Sequence, residues 1–563
     1  MAELPFHPMI GNLIALLQLG GTVVFGRLIV DKLLEKTGWL WQLTVGMIVI
    51  SQTAYLATFF PDYFWILKLM AWGLVCGGCI LIGQLFFHKI SNYEVLWPKN
   101  ITAWLAALLS LSYLLLALGP PTQADALDYH WGVPMYLMRH YHWPPTEIWL
   151  TGSLAGIGEM YILLGMLLHA ENLSTLLQAV SIVGFAHFVS SQQPSQKSEF
   201  IKLFILGVPV LLFLVSGPKP QLFPQVVTAL ALFLLLEKKE ISQKRYALII
   251  LLLCGAAQQK LSFVLTGGLV GLWASYRHLP SHPKSFLWGF LLVVIFFLPR
   301  AWWNIQQVSE PSWLSWLTPL PTEFTNALRS YREQDWWFPF NLIFPDSFGS
   351  TSAVIGGSFF VVAAFSTSNP IWWRVNLLCL VAMILNYLLG QSVARSFYEF
   401  VLWFAIGMAL CENYELWKKN ITKFLLGLQS SAVLVMAVLG VWTLLPGIFS
   451  TKLRDTVLQK SANDYQAIDW SNSIIPEESY VASELRSVSL IKHNFLPTDW
   501  KRNQLSNEKF QSEFEKVDFI ISKSKTSPHP LFQLKDSKQN FRLATRNPFN
   551  SGLPYSLYIY EKK

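Results

Sequence analysis

Long apolar runs constrain this chain more than any other feature of its sequence. Many of them approach the roughly 20 residues that cross a bilayer as an α-helix, and short charged linkers separate them. They begin near Met9, Trp39, Phe64, Ile101, Ser153, Leu173, Phe200, Leu222, Tyr246, Leu261, Lys284, Ala353, Trp372, Ser396 and Phe424. Only 13% of the 563 residues are charged, whereas a soluble domain carries about a quarter. The sequence therefore predicts a mainly α-helical, polytopic membrane protein.

The basic linkers indicate how these spans are oriented. Linkers rich in Lys and Arg, such as residues 89–99 and 277–284, belong in the cytoplasm by the positive-inside rule. The alternate connections then face outward, including the loops at residues 119–152 and 300–352 and everything after Ser450. The formal charge of +8 fits basic cytoplasmic loops and gives little support for a nucleic-acid partner.

One stretch does not fit this topology. Residues 200–216 have an outward connection on either side, and two crossings do not fit into so few residues. Either the stretch is a broken segment shielded by protein or lining a cavity, or a neighbouring span is misread.

The composition changes after about residue 450, where the chain becomes charged and alternating. DYQAIDWSNSIIPEE and EKFQSEFEKV predict helices, and SYVASEL, DFIISKS and YSLYIYEKK predict strands. No glycine-rich phosphate loop accompanies the strands, so a nucleotide site is not predicted. We therefore expect three units: transmembrane helices in residues 1–100, a transmembrane module with the outward loops in residues 101–449, and a small extracytoplasmic α/β domain in residues 450–563.

Two carboxylates follow directly after the span that begins near Ile101. PPTQADALDYHWGVP contains Asp125 and Asp128, followed by Tyr129 and His130. Charge beside hydrocarbon is costly and tends to be functional or well paired. On a helix the carboxylates would lie on neighbouring faces, and the aromatic residues around them predict a helix lying in the membrane interface. In the simpler alternative, Asp125 only caps the helix.

Four outward connections each carry a cation close to the membrane. These cations are Lys219, Lys260, Arg300 and Arg395, with Asn304 and Tyr398 following the two arginines. Outward connections should be poor in Lys and Arg. A single cation of this kind has a simple explanation, because long basic side chains snorkel to the interface. Together the four predict a site for an anion such as a lipid phosphate, with the carboxylates acting on a nucleophile.

These motifs resemble the GT-C superfamily of membrane glycosyltransferases, which includes the protein O-mannosyltransferases, the aminoarabinose transferase and bacterial relatives. DALDYH resembles the acidic motif of their first outward loop, and Asp125 matches the position usually taken as catalytic. KPQLF at residues 219–223 resembles a recurrent outward turn, and PRAWWNIQQVSEPSW resembles their Pro-x-x-x-x-Asn stretch. The spans before Ile101 are additional to the usual layout.

The resemblance implies a GT-C-like transmembrane bundle and a glycosyltransferase activity. The donor would be a polyprenyl-phosphate-linked sugar and the acceptor a cell-envelope glycan, lipid or protein. Transfer would take place on the periplasmic face of a bacterial inner membrane, with inversion at the anomeric carbon. No cofactor is certain, and a divalent metal held by Asp128 stays possible.

The resemblance also suggests roles for individual residues. A carboxylate within hydrogen-bond reach of the acceptor can remove its proton, which makes Asp125 the expected base and Asp128 its aid. Asp128 also keeps a retaining double displacement open. Lys219, Lys260 and Arg395 are the expected contacts of the donor phosphate, and Arg300, Asn304 and Tyr398 are further substrate contacts. Tyr129 and His130 would shape the sugar pocket, and Glu159 would be either a supporting acid or the partner of a cation.

Two other functions are compatible with many spans and a large outward loop. An O-antigen ligase or polymerase would concentrate its signature residues in the loop at residues 300–352, whereas here the acidic residues stand in the first outward loop. A transporter or flippase of lipid-linked glycans would show charges near mid-span and paired halves, and neither is visible in the sequence.

Overall fold

The computed structural model describes most of the chain. The described residues are 7–34, 38–87, 98, 100–145, 148–149, 151–238, 240–307, 337–345, 348–364, 369–411, 415, 418–498, 508–542 and 554–563. Most of the predicted outward loop at residues 300–352, namely residues 308–336, lies outside them.

Helices dominate the described part of the chain. They are α1 (Pro8–Val30), α2 (Trp39–Ala57), α3 (Trp65–Phe87), α4 (Ile101–Ala117), α5 (Trp131–His140), α6 (Glu159–Met166), α7 (Leu173–Ser190), α8 (Ser195–Leu206), α9 (Val210–Val215), α10 (Leu222–Glu237), α11 (Gln243–Gln259), α12 (Phe263–His278), α13 (Ser285–Gln307), α14 (Gly357–Ala363), α15 (Pro370–Leu388), α16 (Ala394–Leu410), α17 (Asn420–Leu444), α18 (Thr451–Ser461), α19 (Tyr465–Ile474) and α20 (Glu508–Glu515).

Seven of the described helices are long and apolar enough to cross a membrane, judged by length and composition. They are α1, α2, α3, α7, α13, α15 and α17. Large apolar side chains of these helices are exposed on the surface of the bundle, for example Leu28, Leu287, Leu377 and Trp442. Such a surface suits contact with lipid rather than water. The prediction of a mainly α-helical, polytopic membrane protein is confirmed.

The stretch at residues 200–216 is a broken helix. α8 ends at Leu206 and α9 begins at Val210, with Gly207 and Pro209 between them. Residues remote in sequence supply partners for the freed backbone groups: Gln429 donates to the Gly207 carbonyl at 2.9 Å, and the Val210 amide donates to the Val354 carbonyl at 3.0 Å. The stretch is therefore a broken segment that protein shields, as the membrane requires.

The prediction of a membrane span beginning near Ser153 is wrong. In its place stand a short 3-10 turn (Thr151–Leu154) and α6, whose eight residues cannot cross a bilayer. α6 is buried along nearly its whole length, so its apolar sequence reflects burial in protein and not contact with lipid.

A five-stranded sheet forms the C-terminal part of the molecule. Its strands are β1 (Tyr480–Ser483), β2 (Asn494–Pro497), β3 (Phe519–Ser522), β4 (Phe532–Arg542) and β5 (Pro554–Lys562), in the order β2-β1-β3-β5-β4. β1 is parallel to both β2 and β3, and β5 is antiparallel to β3 and β4. The predicted small α/β domain is confirmed, and α18, β2 and β4 are elements that the sequence patterns did not indicate.

Contacts to the helical bundle hold the C-terminal part in place. Arg454 on α18 makes two bonds to Glu171, at 2.9 and 2.5 Å. Arg139 on α5 donates to the His493 carbonyl at 2.9 Å, and the Asn463 amide donates to the Thr122 carbonyl at 3.2 Å. As a result, the acidic segment after α4 is enclosed between the bundle and the C-terminal sheet.

Candidate functional site: a carboxylate and cation cluster

The acidic segment owes its shape to prolines and to a widened helical turn. α4 ends at Ala117, and Pro120 and Pro121 follow, where proline cannot continue a helix interior. The chain then forms a π-helical turn over Ala126–His130, with Asp128 at a non-helical ψ of −106°. Such turns occur often at functional sites.

The surroundings of this segment differ from the sequence prediction. Trp131, Val133 and Leu137 are at most 1% exposed, because the C-terminal part covers the helix that was expected to lie in the membrane interface. Asp125 makes no capping hydrogen bond through its side chain. The structure therefore gives no support to the alternative in which Asp125 only caps a helix.

Asp125 lies inside a ring of three cations. Its Oδ2 atom is 2.6 Å from Lys219 Nζ and 3.6 Å from Arg395 Nη1, and its Oδ1 atom is 2.7 Å from Arg486 Nη2. Burial by itself would raise the pKa of Asp125, but the three cations outweigh it and hold that pKa well below its ordinary value. Asp125 is consequently a firmly ionised carboxylate in this state.

Asp128 is buried beside Asp125 and shares one of its partners. Its Oδ1 atom accepts from Trp149 Nε1 at 3.3 Å and from Thr151 Oγ1 at 3.2 Å, and its Oδ2 atom is 3.5 Å from Arg486. Arg486 thus bridges the two carboxylates. A divalent metal between them would have to displace this arginine, and no group of three metal-ligating side chains occurs within the described ranges.

His130 and Glu159 form a second buried pair. His130 Nδ1 lies 2.6 Å from Glu159 Oε1, and the other carboxylate oxygen accepts from the Gly156 amide at 2.5 Å. Because a carboxylate only accepts, the hydrogen sits on Nδ1. Burial lowers the pKa of His130 despite the opposing effect of Glu159, so the ring is neutral near pH 7. Nε2 has no hydrogen-bond partner within the described part of the chain.

Lys260 is connected to the same cluster through an amide. Its Nζ atom donates to Gln221 Oε1 at 3.1 Å, and Gln221 in turn donates to the Arg395 carbonyl at 3.1 Å. Burial, reinforced by the charge of Arg395, lowers the pKa of Lys260 to about 8, although Asp125 and Glu159 oppose the shift. No carboxylate lies within ion-pair distance of Lys260 among the described residues.

Arg300 lies in the C-terminal half of α13. It is 6% exposed, and its guanidinium packs against Gly156, where any side chain would overlap it. Within the described ranges Arg300 has no carboxylate partner. Asn304 stands one turn further along the same helix and is also buried. A buried cation without a counter-ion is costly, so the described side chains leave the positive charge of Arg300 uncompensated.

The two tyrosines of the sequence prediction are placed differently from each other. The ring of Tyr129 lies 4.1 Å from that of His130, so Tyr129 belongs to the cluster. The hydroxyl of Tyr398 donates to the Ile205 carbonyl at 2.9 Å. That contact uses the polar atom of Tyr398 in helix packing, and the structure does not bring Tyr398 to the carboxylates.

Arg486 is the site residue that sequence reasoning missed. It follows β1, at the carboxyl end of a strand with parallel neighbours on both sides, which is where ligands bind in open α/β sheets. That position was available as a signal once β1 was predicted. The contact with Asp125, 361 residues away in sequence, was not.

Comparisons with known proteins find crystal structures that are similar over most of this chain and one family model. The crystal structure of ArnT from Cupriavidus metallidurans bound to undecaprenyl phosphate is similar at 11% identity, with 82% of this chain and 98% of that chain covered and a TM-score of 0.45. The crystal structure of ArnT from Cupriavidus metallidurans in the apo state is similar at 10% identity, with 81% of this chain and 98% of that chain covered and a TM-score of 0.36.

A search among curated protein sequences finds no match. The family model described as the DUF1420 N-terminal domain matches residues 44–458, which is well over half of the chain. The chain therefore belongs to the DUF1420 family.

Proposed function

We propose that this protein is a membrane glycosyltransferase that moves a sugar from a polyprenyl-phosphate-linked donor to a cell-envelope acceptor, with inversion at the anomeric carbon. The observation that carries the proposal is the cluster around Asp125. One carboxylate lies within 3.6 Å of three cations, and two further cations nearby, Lys260 and Arg300, have no carboxylate partner in the described part of the chain.

The charges of the cluster suit a phosphate leaving group. Five cations (Lys219, Lys260, Arg300, Arg395 and Arg486) surround three carboxylates (Asp125, Asp128 and Glu159). With His130 neutral, these five cations and three carboxylates together carry an excess of two positive charges. A polyprenyl-phosphate sugar is a phosphodiester with one negative charge, and the departing lipid phosphate gains a second. Groups that bind the developing charge more tightly than the ground state accelerate the reaction.

In the reaction we propose, Asp125 takes the proton from the attacking hydroxyl or amine of the acceptor. A bond forms between the acceptor atom and the anomeric carbon as the bond from that carbon to the phosphate oxygen breaks. The electron pair of the broken bond stays on the phosphate. A base positioned in this way contributes about 10² to 10⁴ in rate. Asp128, held by Trp149 and Thr151, orients the acceptor beside it.

The neighbouring residues would define the sugar pocket. Tyr129 presents an aromatic ring, and His130 presents its Nε2 lone pair because Glu159 fixes the hydrogen on Nδ1. A neutral imidazole that accepts at a fixed position is suited to bind a sugar hydroxyl. In this proposal Glu159 is a supporting acid through His130, one of the two roles expected from the sequence.

We further propose that the cluster faces the periplasm of a bacterial inner membrane. The positive-inside rule supports this orientation, because the connection between α12 and α13 carries two basic residues, Arg277 and Lys284, and belongs in the cytoplasm. Lys260 lies at the opposite end of α12, in the connection from α11, and so falls on the periplasmic side. A reporter fusion after Ser450 should report the periplasm, and one after His278 should report the cytoplasm. Any other result would overturn the orientation and leave the chemistry of the cluster untouched.

The direct test uses Asp125→Asn in membranes supplied with labelled polyprenyl-phosphate sugars. Label should pass from the lipid to an acceptor with wild-type protein and should not pass with the variant. Asp62→Asn is a matched control, because Asp62 is an exposed carboxylate in the turn before α3. Identification of the labelled product by mass spectrometry would name the acceptor. Undiminished transfer by the Asp125 variant would remove this carboxylate from the mechanism.

The ligase alternative makes a different prediction. Its signature residues would lie in the loop at residues 300–352, of which residues 308–336 are outside the described ranges. If polyprenyl-diphosphate glycans were consumed and monophosphate-linked sugars were not, the ligase or polymerase assignment would replace the proposed one.

A further inference from the structure

Arg486 belongs to the C-terminal part of the chain, yet its guanidinium lies in the carboxylate cluster. The turn that carries it is well anchored: Glu484 accepts from Ser522 Oγ at 2.7 Å and from the Lys523 amide at 3.0 Å. The Val488 amide donates to the Arg486 carbonyl at 2.9 Å. The backbone of Arg486 is therefore fixed, while its side chain stays 45% exposed.

The three cations on Asp125 are not equivalent. Lys219 is only 4% exposed, whereas Arg395 and Arg486 are 36% and 45% exposed. Moving Lys219 away from Asp125 would leave a buried charge unpaired, which is strongly unfavourable. The two arginines can exchange partners at low cost, because half-exposed ion pairs contribute little net free energy. Asp125 thus has one permanent partner and two exchangeable ones.

In this arrangement the Asp125 carboxylate occupies a position that suits a phosphate. An anion there meets two guanidinium groups, whose planar forks match the oxygens of a phosphate. Lys260 carries a further positive charge beside Arg395. Arg395 comes from α16 and Arg486 from the turn after β1, so such a site would join the membrane bundle to the C-terminal sheet.

We propose that Arg486 binds the donor phosphate together with Arg395, and that it holds Asp125 in an inactive ion pair until that phosphate arrives. The inference rests on the proposed function and deepens it. When the phosphate takes the two arginines, Asp125 keeps Lys219 and loses two positive neighbours, so its affinity for a proton rises. The base becomes competent when donor is bound.

This exchange of partners would make the C-terminal part of the chain take part in catalysis. It would supply a substrate contact and make removal of the acceptor proton depend on the presence of the donor. Loss of Arg486 should then have two separable effects, weaker phosphate binding and a change in the pH dependence of turnover. A residue that only fastened the C-terminal part to the bundle would leave phosphate binding unchanged.

The first test measures binding of undecaprenyl phosphate to the purified full-length protein in detergent. Arg486→Gln should weaken binding about tenfold to a hundredfold, the loss expected for one charge-assisted contact. The affinity of Arg486→Lys should fall between those of wild type and Arg486→Gln, since lysine keeps the charge and loses the planar fork of the guanidinium. Lys525→Gln is the matched control, because Lys525 is an exposed cation of the same part of the chain. Inorganic phosphate should compete only at far higher concentration if the lipid is the true ligand.

The second test compares pH profiles of sugar transfer. The acid limb of kcat/KM reports the unliganded enzyme, so Arg486→Gln should move it to higher pH, because Asp125 has lost a positive neighbour. Arg139→Gln controls for docking, since Arg139 binds the same part of the chain away from Asp125. Either wild-type affinity for undecaprenyl phosphate or an unmoved acid limb in Arg486→Gln would overturn the inference. If wild-type protein itself bound no polyprenyl phosphate and transferred no sugar, the proposed function would fail instead.

Discussion

The pair between Asp125 and Lys219 should be the strongest single electrostatic contact of the cluster. Lys219 Nζ lies 2.6 Å from Asp125 Oδ2, and Lys219 is 4% exposed. Removing one partner of a buried pair costs about 3–5 kcal/mol, because the other charge stays buried. Asp125 is 24% exposed, so we expect the lower end, about 3 kcal/mol of unfolding free energy, for Asp125→Asn.

Substitution of the other partner, Lys219, should cost less unfolding free energy. In Lys219→Met, Asp125 keeps Arg395 and Arg486, and the methionine fills the volume of the lysine stem. We expect about 1–2 kcal/mol, within the usual range for loss of a charged hydrogen bond. The double variant should be more stable than the sum of the single losses predicts, by about 1–3 kcal/mol, since it leaves no unpaired Lys219.

Equilibrium unfolding of the four proteins in mixed detergent micelles would measure this double-mutant cycle. The far-ultraviolet circular dichroism of the folded state should be the same for all four. Additive losses, with a coupling free energy below about 0.5 kcal/mol, would show that the pair is not formed as described.

The pH dependence gives an independent check with a defined sign. The folded-state pKa of Asp125 is depressed by its cations, so its contribution to stability is fully present above the unfolded pKa of about 4. It is lost as pH falls through the interval between the unfolded and folded values. The stability difference between wild type and Asp125→Asn should be flat from about pH 5 to 7, below the pKa of about 8 that Asp125 helps to raise on Lys260. Below about pH 4 it should shrink by about 1.4 kcal/mol per pH unit. A difference that grew on acidification would contradict the argument.

Three further substitutions test the surroundings of the cluster. Glu159→Gln cannot accept from both His130 and the Gly156 amide as the carboxylate does, so sugar transfer should fall at least about tenfold and thermal stability should drop. Gly132→Ala places a methyl group on the ring of Trp149, which donates to Asp128. It should cost about 1–3 kcal/mol in unfolding. Arg454→Ala removes the ion-pair partner of Glu171, which is 11% exposed, and it should increase protease cleavage before α18, with little change in undecaprenyl phosphate affinity.

The membrane architecture follows directly from the sequence. Apolar runs such as those beginning near Met9 and Trp372 are confirmed as long apolar helices, since hydrocarbon forces the backbone to satisfy its own hydrogen bonds. The run near Ser153 shows where this reasoning fails. An apolar sequence is equally suited to burial inside a protein, and α6 is buried there.

The candidate site was only partly predictable. The sequence marked Asp125, Lys219 and Arg395 as ionisable residues in outward connections, and the structure places both cations within 3.6 Å of the Asp125 carboxylate. Their residue types and positions beside apolar runs were sufficient for that. Their roles as substrate contacts stay predictions, and Tyr398 is placed in helix packing instead.

By itself the sequence determined that the chain enters a membrane and that charge stands at the ends of its spans, because both follow from the local cost of polar groups in hydrocarbon. The tertiary structure decided which charges meet. Arg486 reaches Asp125 only because β1 docks its carboxyl end against the π-helical turn, and His130 finds Glu159 only because α6 packs beside α5. Those pairings depend on distances between segments that are remote in the chain, and no local pattern of residues encodes them.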